Sequence, residues 1–178
     1  QMPSVILPRK AVGELRKLLD DYDGEVSVGL SETRAEFGFG AVRLTSKLID
    51  GTFPDYTRVI PTGNDRIMQV DAASFAAAVD RVSTISSEKS RSVKMGLKPG
   101  VLTLSASNTD ASSAIEEIEV TYDGVEMDIG FNARYLLDIA AQVNNDIVEF
   151  ALADQGSPSL VRAPGDDASL FVLMPMRV

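Results

Sequence analysis

Cysteine and histidine are both absent from the 178 residues. Without cysteine there is no disulfide framework. Without either residue the usual soft metal sites cannot be built, and Ser-His or Cys-His nucleophile pairs are impossible. That weighs strongly against most hydrolase mechanisms. No apolar run approaches the roughly 20 residues needed to span a bilayer, and the opening residues carry no signal-like pattern. Positive charge is also scarce: 17 Lys and Arg against 26 Asp and Glu leave a net charge of -9. Such a chain is a poor general binder of nucleic acid unless its basic residues gather on one face. What is present is ordinary globular material, 44% hydrophobic and 24% charged. The length suits one large domain, or one domain and part of another.

The order of elements repeats along the chain. "LPRKAVGELRKLLDD" reads as a helix, with Pro8 in its first turn and Val12, Leu15, Leu18 and Leu19 on one face. "DAASFAAAVDRVSTIS" is a second helix, with Asp71 as cap and Phe75, Ala78, Val79 and Val82 as its stripe. "NARYLLDIAAQV" is a third, capped by Asn132, with Tyr135, Leu136, Ile139 and Val143 facing inward. The starts lie about 60 residues apart. An extended stretch precedes each helix ("PSVILP", "DRIMQV", "EMDIGF"), and about three alternating strands follow it. Lys98-Pro99-Gly100 marks a hairpin turn. The unit is β-α-β-β-β, used three times, and the fold class is α+β. One helix cannot cover its whole sheet, so the units should pair. Three units make one and a half pairs. That points to a truncated protein or, alternatively, to a first unit that pairs with its copy in another chain. Between the first two units, "SKLIDGTFPDYTRVIPTGND" reads as a connector. Its Phe53, Tyr56, Val59 and Ile60 predict that it packs down as a short turn or helix around "FPDY".

Several patterns carry no chemistry. "FGFGAV" lacks the third glycine that would open a helix under a phosphate, and strand residues follow it. In "IEEIE", Glu117 and Glu119 share one strand face and Glu116 the other, as on an exposed strand or a charged edge. The basic residues are more suggestive. Arg9, Lys10, Arg16 and Lys17 lie opposite the leucine stripe of the first helix. Arg81 is on the second helix, with Lys89 and Arg91 beyond it, and Arg134 is on the third. The acids gather in the strands and loops. A basic helical side can meet nucleic-acid phosphates without reading sequence. At the end of the chain the final strand, Leu170 to Met176, breaks its alternation at Met174, Pro175 and Met176. Two flexible methionines beside a residue that cannot donate to a ladder suit an adaptable surface for a partner.

Three of these segments, "LIDGTFPDYTRVIP", "IGFNARYLLD" and the terminal "VLMPMRV", resemble the bacterial sliding clamp, the beta subunit of DNA polymerase III. The resemblance runs from Ser4 to Val178. It implies the DNA-clamp fold, with helices on one face of antiparallel sheets. Residues 1–62 would be the second half of the middle clamp domain plus the connector, and residues 63–178 the C-terminal domain. It also implies a function: a DNA-polymerase processivity factor, cytoplasmic and not an enzyme, that encircles double-stranded DNA as a ring homodimer in its full-length form. No cofactor, metal or membrane is implied. The implied partners are DNA polymerase III, other proteins carrying a clamp-binding motif, and the clamp loader.

The family's peptide cleft falls on Pro54, Arg58 and Val59, on the rim positions Asn132 and Tyr135, and on Val172, Met174, Pro175, Met176 and Arg177. Part of the cleft wall and the other side of the ring joint would come from segments that this chain lacks. The DNA-facing residues would be Arg9, Lys10, Arg16, Lys17, Arg81 and Arg134. The ring joint would use Ile85, Asp110 and Glu116. Here "TDASSAIEE" departs from the family's acid-rich run, since Ser112 and Ser113 carry no charge. Two rival classes stand beside this one. The first is an interaction scaffold of paired β-α-β-β-β units unrelated to replication. The second is an enzyme using carboxylates such as Asp110 and Glu116.

Overall fold

The computed structural model describes residues 3–86, 91–108, 112–143 and 145–177. They divide into two compact units, Gln1–Asp55 and Tyr56–Val178. The sequence placed its joint at residues 62 and 63.

The smaller unit holds helix α1 (Arg9–Leu19) and strands β1 (Ser27–Leu30), β2 (Arg34–Phe39) and β3 (Val42–Lys47). The strands form one antiparallel sheet in the order β1-β2-β3. The glycines of "FGFG" belong to the β2–β3 hairpin, where Gly40 takes the positive φ of the turn. Ala35, Phe37 and Phe39 are the buried core, with Leu7, Leu15 and Leu19 packed against them. Helix α1 has no buried residue and no side-chain cap. Val12 and Leu18 of the expected stripe are exposed, because a three-stranded sheet covers only part of that face. The expected first strand, "PSVILP", joins no ladder. Its carbonyls accept from Ile49 N–H at Ile6 (2.9 Å) and from Val12 N–H at Pro8 (3.2 Å), the latter already opening the helix.

The larger unit runs β4 (Arg66–Asp71), α2 (Ala72–Ser83), β5 (Ser92–Lys98), β6 (Val101–Ser107), β7 (Ser113–Glu119), β8 (Met127–Asn132), α3 (Ala133–Ala140), β9 (Ile147–Leu152), β10 (Ser159–Arg162) and β11 (Phe171–Leu173). Its two sheets run β11-β10-β9-β4 and β7-β6-β5-β8. Each repeat thus gives its first strand to the sheet of the other: β4 pairs with β9, and β8 with β5. Two isolated bridges stitch the sheets together, Gln69 to Thr121 and Gly130 to Met176.

The helices supply the shared core. Phe75, Ala78, Val79 and Val82 of α2 are buried, as are Leu136 and Ile139 of α3. Phe75 meets Phe150 of β9 edge-on at 5.4 Å. Each of these buried side chains larger than alanine contributes about 1.5–3 kcal/mol. Both helices have side-chain caps: Ser74 N–H donates to the Asp71 carboxylate (2.7 Å), and Arg134 N–H to the Asn132 side-chain oxygen (2.9 Å). Of the expected α3 stripe, Tyr135 is 56% exposed, whereas Val143 falls beyond the end of the helix and still packs against the core.

One repeated device escaped the sequence reading. "YDG" occurs before β1 and again before β8. Tyr22 Oη donates to the Glu25 carbonyl (3.3 Å), and Tyr122 Oη to the Val125 carbonyl (2.6 Å). A Cβ on Gly24 or Gly124 would collide with the tyrosine hydroxyl, which explains the glycine in each turn.

The connector also differs from expectation. Tyr56–Val59 form a single 3-10 turn, as "FPDY" suggested, but Phe53, Tyr56 and Val59 are 66%, 63% and 58% exposed. One short turn has too little surface of its own to bury them.

Candidate functional site

The end of the chain is built by a change of sheet. β11 pairs with β10 (Val172 opposite Leu160) and buries Leu173. The expected strand to Met176 stops there, because Pro175 has no N–H to donate. The next donor, Met176 N–H, instead reaches the Gly130 carbonyl on β8 (2.8 Å). The backbone is therefore pinned on both sides of Met174 and Pro175. Met174 itself stays 61% exposed, Pro175 and Met176 are half-buried, and Arg177 is exposed.

A cavity of about 630 Å³ lies beside this segment. Pro175, Met176 and Arg177 form one wall. Lys94 of β5, Asp128 of β8, and Gln155 with Gly156 of the β9–β10 loop form others. Lys94 Nζ is 2.7 Å from the Asp128 carboxylate. The loop is a tight Asx turn: Gly156 and Ser157 N–H groups both donate to Asp154 Oδ1 (2.8 Å each). The Gly156 bond leads in holding the Asp154 carboxyl below its ordinary value. Lys94, Asp128, Gln155 and Gly156 were not expected from the sequence. They come from three separated segments, and no local spacing joins them.

The other expected docking residues do not line this cavity. Asn132 uses its side-chain oxygen as the α3 cap, three residues before exposed Tyr135. Arg58 and Val59 lie in the 3-10 turn of the same unit. Val172 is half-buried on β11. Pro54 is exposed and belongs to the smaller unit.

Among the basic residues, Arg9, Lys10, Arg16 and Lys17 are all exposed on α1, with Lys17 Nζ 3.3 Å from Glu14. Arg134 lies 4.0 Å from Asp138 on exposed α3 surface. Arg81 and Glu116 were expected at different surfaces, yet they form a two-pronged pair, with Arg81 Nε donating to Glu116 Oε2 (3.0 Å). The Arg81 hydrogen bonds hold the Glu116 carboxyl below its ordinary value, and Glu116 raises the guanidinium in turn. The pair ties α2 to β7, an edge strand that exposes Ile115, Glu117 and Glu119 on one face. Ile85 is half-buried just past α2. Asp110 and Lys89 lie outside the described residues. Among the described residues, no three metal-ligating side chains gather, and no helix is long and apolar enough to cross a membrane.

Comparisons with known proteins agree on one family. Residues 57–177 match the model of the DNA polymerase III beta subunit, C-terminal domain, and residues 1–55 match that of its central domain. The beta sliding clamp of Caulobacter vibrioides is 51% identical over 177 residues, covering 99% of this chain and 48% of the relative. That of Pseudomonas aeruginosa is 40% identical over 183 residues, covering 100% and 50%. Among solved structures, the sliding clamp of Bartonella birtlesii bound to griselimycin superposes with a TM-score of 0.93 at 52% identity. That match covers 99% of this chain and 48% of the solved one. The chain spans about half the length of the curated relatives it matches.

Proposed function

The chain belongs to the DNA polymerase III beta subunit family, and from that premise we propose that it works in a sliding clamp. The clamp is a processivity factor: a ring homodimer around double-stranded DNA that keeps the polymerase on its template. It acts by topology and docking, without catalysis, in the cytoplasm. Residues 1–62 serve as the second half of the middle clamp domain with its connector, and residues 63–178 as the C-terminal domain. Family membership leaves no place for the unrelated-scaffold reading.

The observation that carries the docking role is the pinned chain end. The Met176–Gly130 bond holds the backbone while Met174 and Arg177 stay open to a partner. A preorganised apolar wall costs little to order on binding. Extended peptides from DNA polymerase III, the clamp loader and other clamp-binding-motif proteins would place apolar residues against Met174, Pro175 and Met176. Arg58, Val59, Asn132, Tyr135, Val172 and Arg177 complete the cleft. Arg9, Lys10, Arg16, Lys17, Arg81 and Arg134 give DNA a sequence-independent attraction, with the charge of Arg81 partly taken by Glu116. The ring joint uses Ile85, Asp110 and Glu116.

The test is a fluorescence-polarisation titration with a labelled Gln-Leu-x-Leu-Phe peptide and a scrambled control. Saturable binding to the first peptide alone is expected. Met176→Ala should weaken it about tenfold, the loss of one buried side chain's contribution, with an unchanged circular-dichroism spectrum. Equal affinity in mutant and wild type would remove the chain end from the site.

A further inference from the structure

The three repeats can be laid over one another residue by residue. The strand after each helix carries one pattern: "VSVGL" at 26–30, "VKMGL" at 93–97 and "VEFAL" at 148–152. In the larger unit the first, third and fifth residues of both copies of the pattern are buried. In the smaller unit Val26 is exposed, Val28 is 43% exposed and Leu30 is half-buried. The helices repeat the contrast. Counted from the caps Pro8, Asp71 and Asn132, Val12 holds the place of Phe75 and Leu136. Those two are buried, whereas Val12 is 49% exposed.

The first strand of the smaller unit is already held as its counterparts are. Two residues before each cap, one carbonyl accepts from the end of its own repeat: Gln69 from Thr121 (2.9 Å), Gly130 from Met176 (2.8 Å) and Ile6 from Ile49 (2.9 Å). Backbone groups alternate in direction along a strand, so the flanking Met68 and Val70 turn to β9. Val5 and Leu7 hold the same places beside Ile6, with no backbone partner among the described residues. The counterpart of β9 is β1. The Ser31–Arg34 backbone bond (2.9 Å) continues its pairing with β2, which Gly29 and Ser27 therefore face. Val28 and Leu30 point their N–H and C=O groups off the open edge of the sheet. Such an edge is a template for another strand.

We propose that two copies of this chain pair through their smaller units by exchanging first strands. Residues 3–8 of each copy lie along β1 of the other, with Leu7 opposite Val26, Ile6 opposite Ser27 and Val5 opposite Val28. This is the register in which β4 meets β9, where Val70 faces Val148, Gln69 faces Glu149 and Met68 faces Phe150. A second copy fits because the exchange is self-complementary. Each copy offers one strand without a ladder and one open edge, and a two-fold axis satisfies both at once. The pairing covers Val5, Val12, Val26 and Val28, which one copy leaves exposed. It is independent of the peptide-docking reading, which concerns the larger unit.

Sedimentation equilibrium of this chain should give twice the mass of one copy. Val28→Asp places a charge in the joint at a site that is exposed in the single copy, so it should weaken pairing about tenfold or more without unfolding the unit. Val42→Asp, on β3 at the opposite edge, should leave pairing unchanged. Cross-linking reads the register, since the chain has no cysteine of its own. The side chains equivalent to Ile6 and Ser27, those of Gln69 and Glu149, meet at 2.9 Å. An Ile6→Cys chain mixed with a Ser27→Cys chain should therefore form a disulfide-linked pair faster than either variant alone. A single-copy mass at every concentration overturns the proposal; protection of the Val28 amide from hydrogen exchange in that monomer would show the edge covered from within the chain. Pairing that survives Val28→Asp, or a mixture that cross-links no faster than its parts, overturns it as well.

Discussion

The two compact units have one order of elements and two different outcomes. In Tyr56–Val178, two repeats exchange first strands, close two four-stranded sheets and bury the stripes of both helices. In Gln1–Asp55, the same helix and three strands stand without an exchanged strand. Among the described residues only Ala35, Phe37 and Phe39 are buried, and none of them is on the helix. The helix caps follow the same division: the side chains of Asp71 and Asn132 accept backbone N–H groups, whereas Pro8 has no side-chain acceptor. A β-α-β-β-β sequence therefore specifies its helix and the three strands that follow alone, but its first strand and its core only in company. The helix needs a second unit to cover what its own sheet leaves open.

The strongest way to break this comparison is a matched pair of truncations. Phe75→Ala in the exchanged unit should cost about 3–5 kcal/mol. Leu15→Ala, at a half-buried site in the smaller unit, should cost about 1 kcal/mol. Urea unfolding with a probe in each unit measures both, and equal losses would mean the smaller unit is as well packed as the larger. Hydrogen exchange sharpens the same point, since amides of β2 should exchange well before those of β5 and β9. Protection of β2 equal to that of β5 would contradict it.

Smaller effects concern the caps. Asn132→Ala should remove about 1 kcal/mol, visible as a lower urea midpoint. The Asp71 carboxyl is held below its ordinary 3.8, chiefly by the Ser74 backbone hydrogen bond. Its contribution is present in full above 3.8 and is lost as pH falls through the lower folded-state value. Asp71→Asn keeps an acceptor but no titration, so its acid unfolding curve should be slightly flatter in that window. Identical curves would show that the cap does not titrate in folding.

Much of the larger unit was legible in the sequence. The spacing of Phe75, Ala78, Val79 and Val82 located α2 and its buried face, and Asp71 and Asn132 were recognisable caps, because these are local patterns. Val12 and Leu18 carried the same helical spacing and yet ended exposed, since periodicity states which face is apolar and not whether anything covers it. Tyr135 shows the same limit on α3. At the chain end, Pro175 told of a broken ladder, but not that Met176 would turn to Gly130. The partners Lys94, Asp128 and Gln155 gave no signal at all.

By itself, then, the sequence determined the helices, most of the strands and their repeat, since turns, caps and apolar periods act over a few residues; the family was legible through the resemblance of three segments. Only the tertiary structure decided which strands were exchanged, that Arg81 would meet Glu116, and that four distant segments would enclose one cavity at the chain end. Those outcomes depend on pairings between strands far apart in the chain, and the energy of such a pairing belongs to neither strand alone.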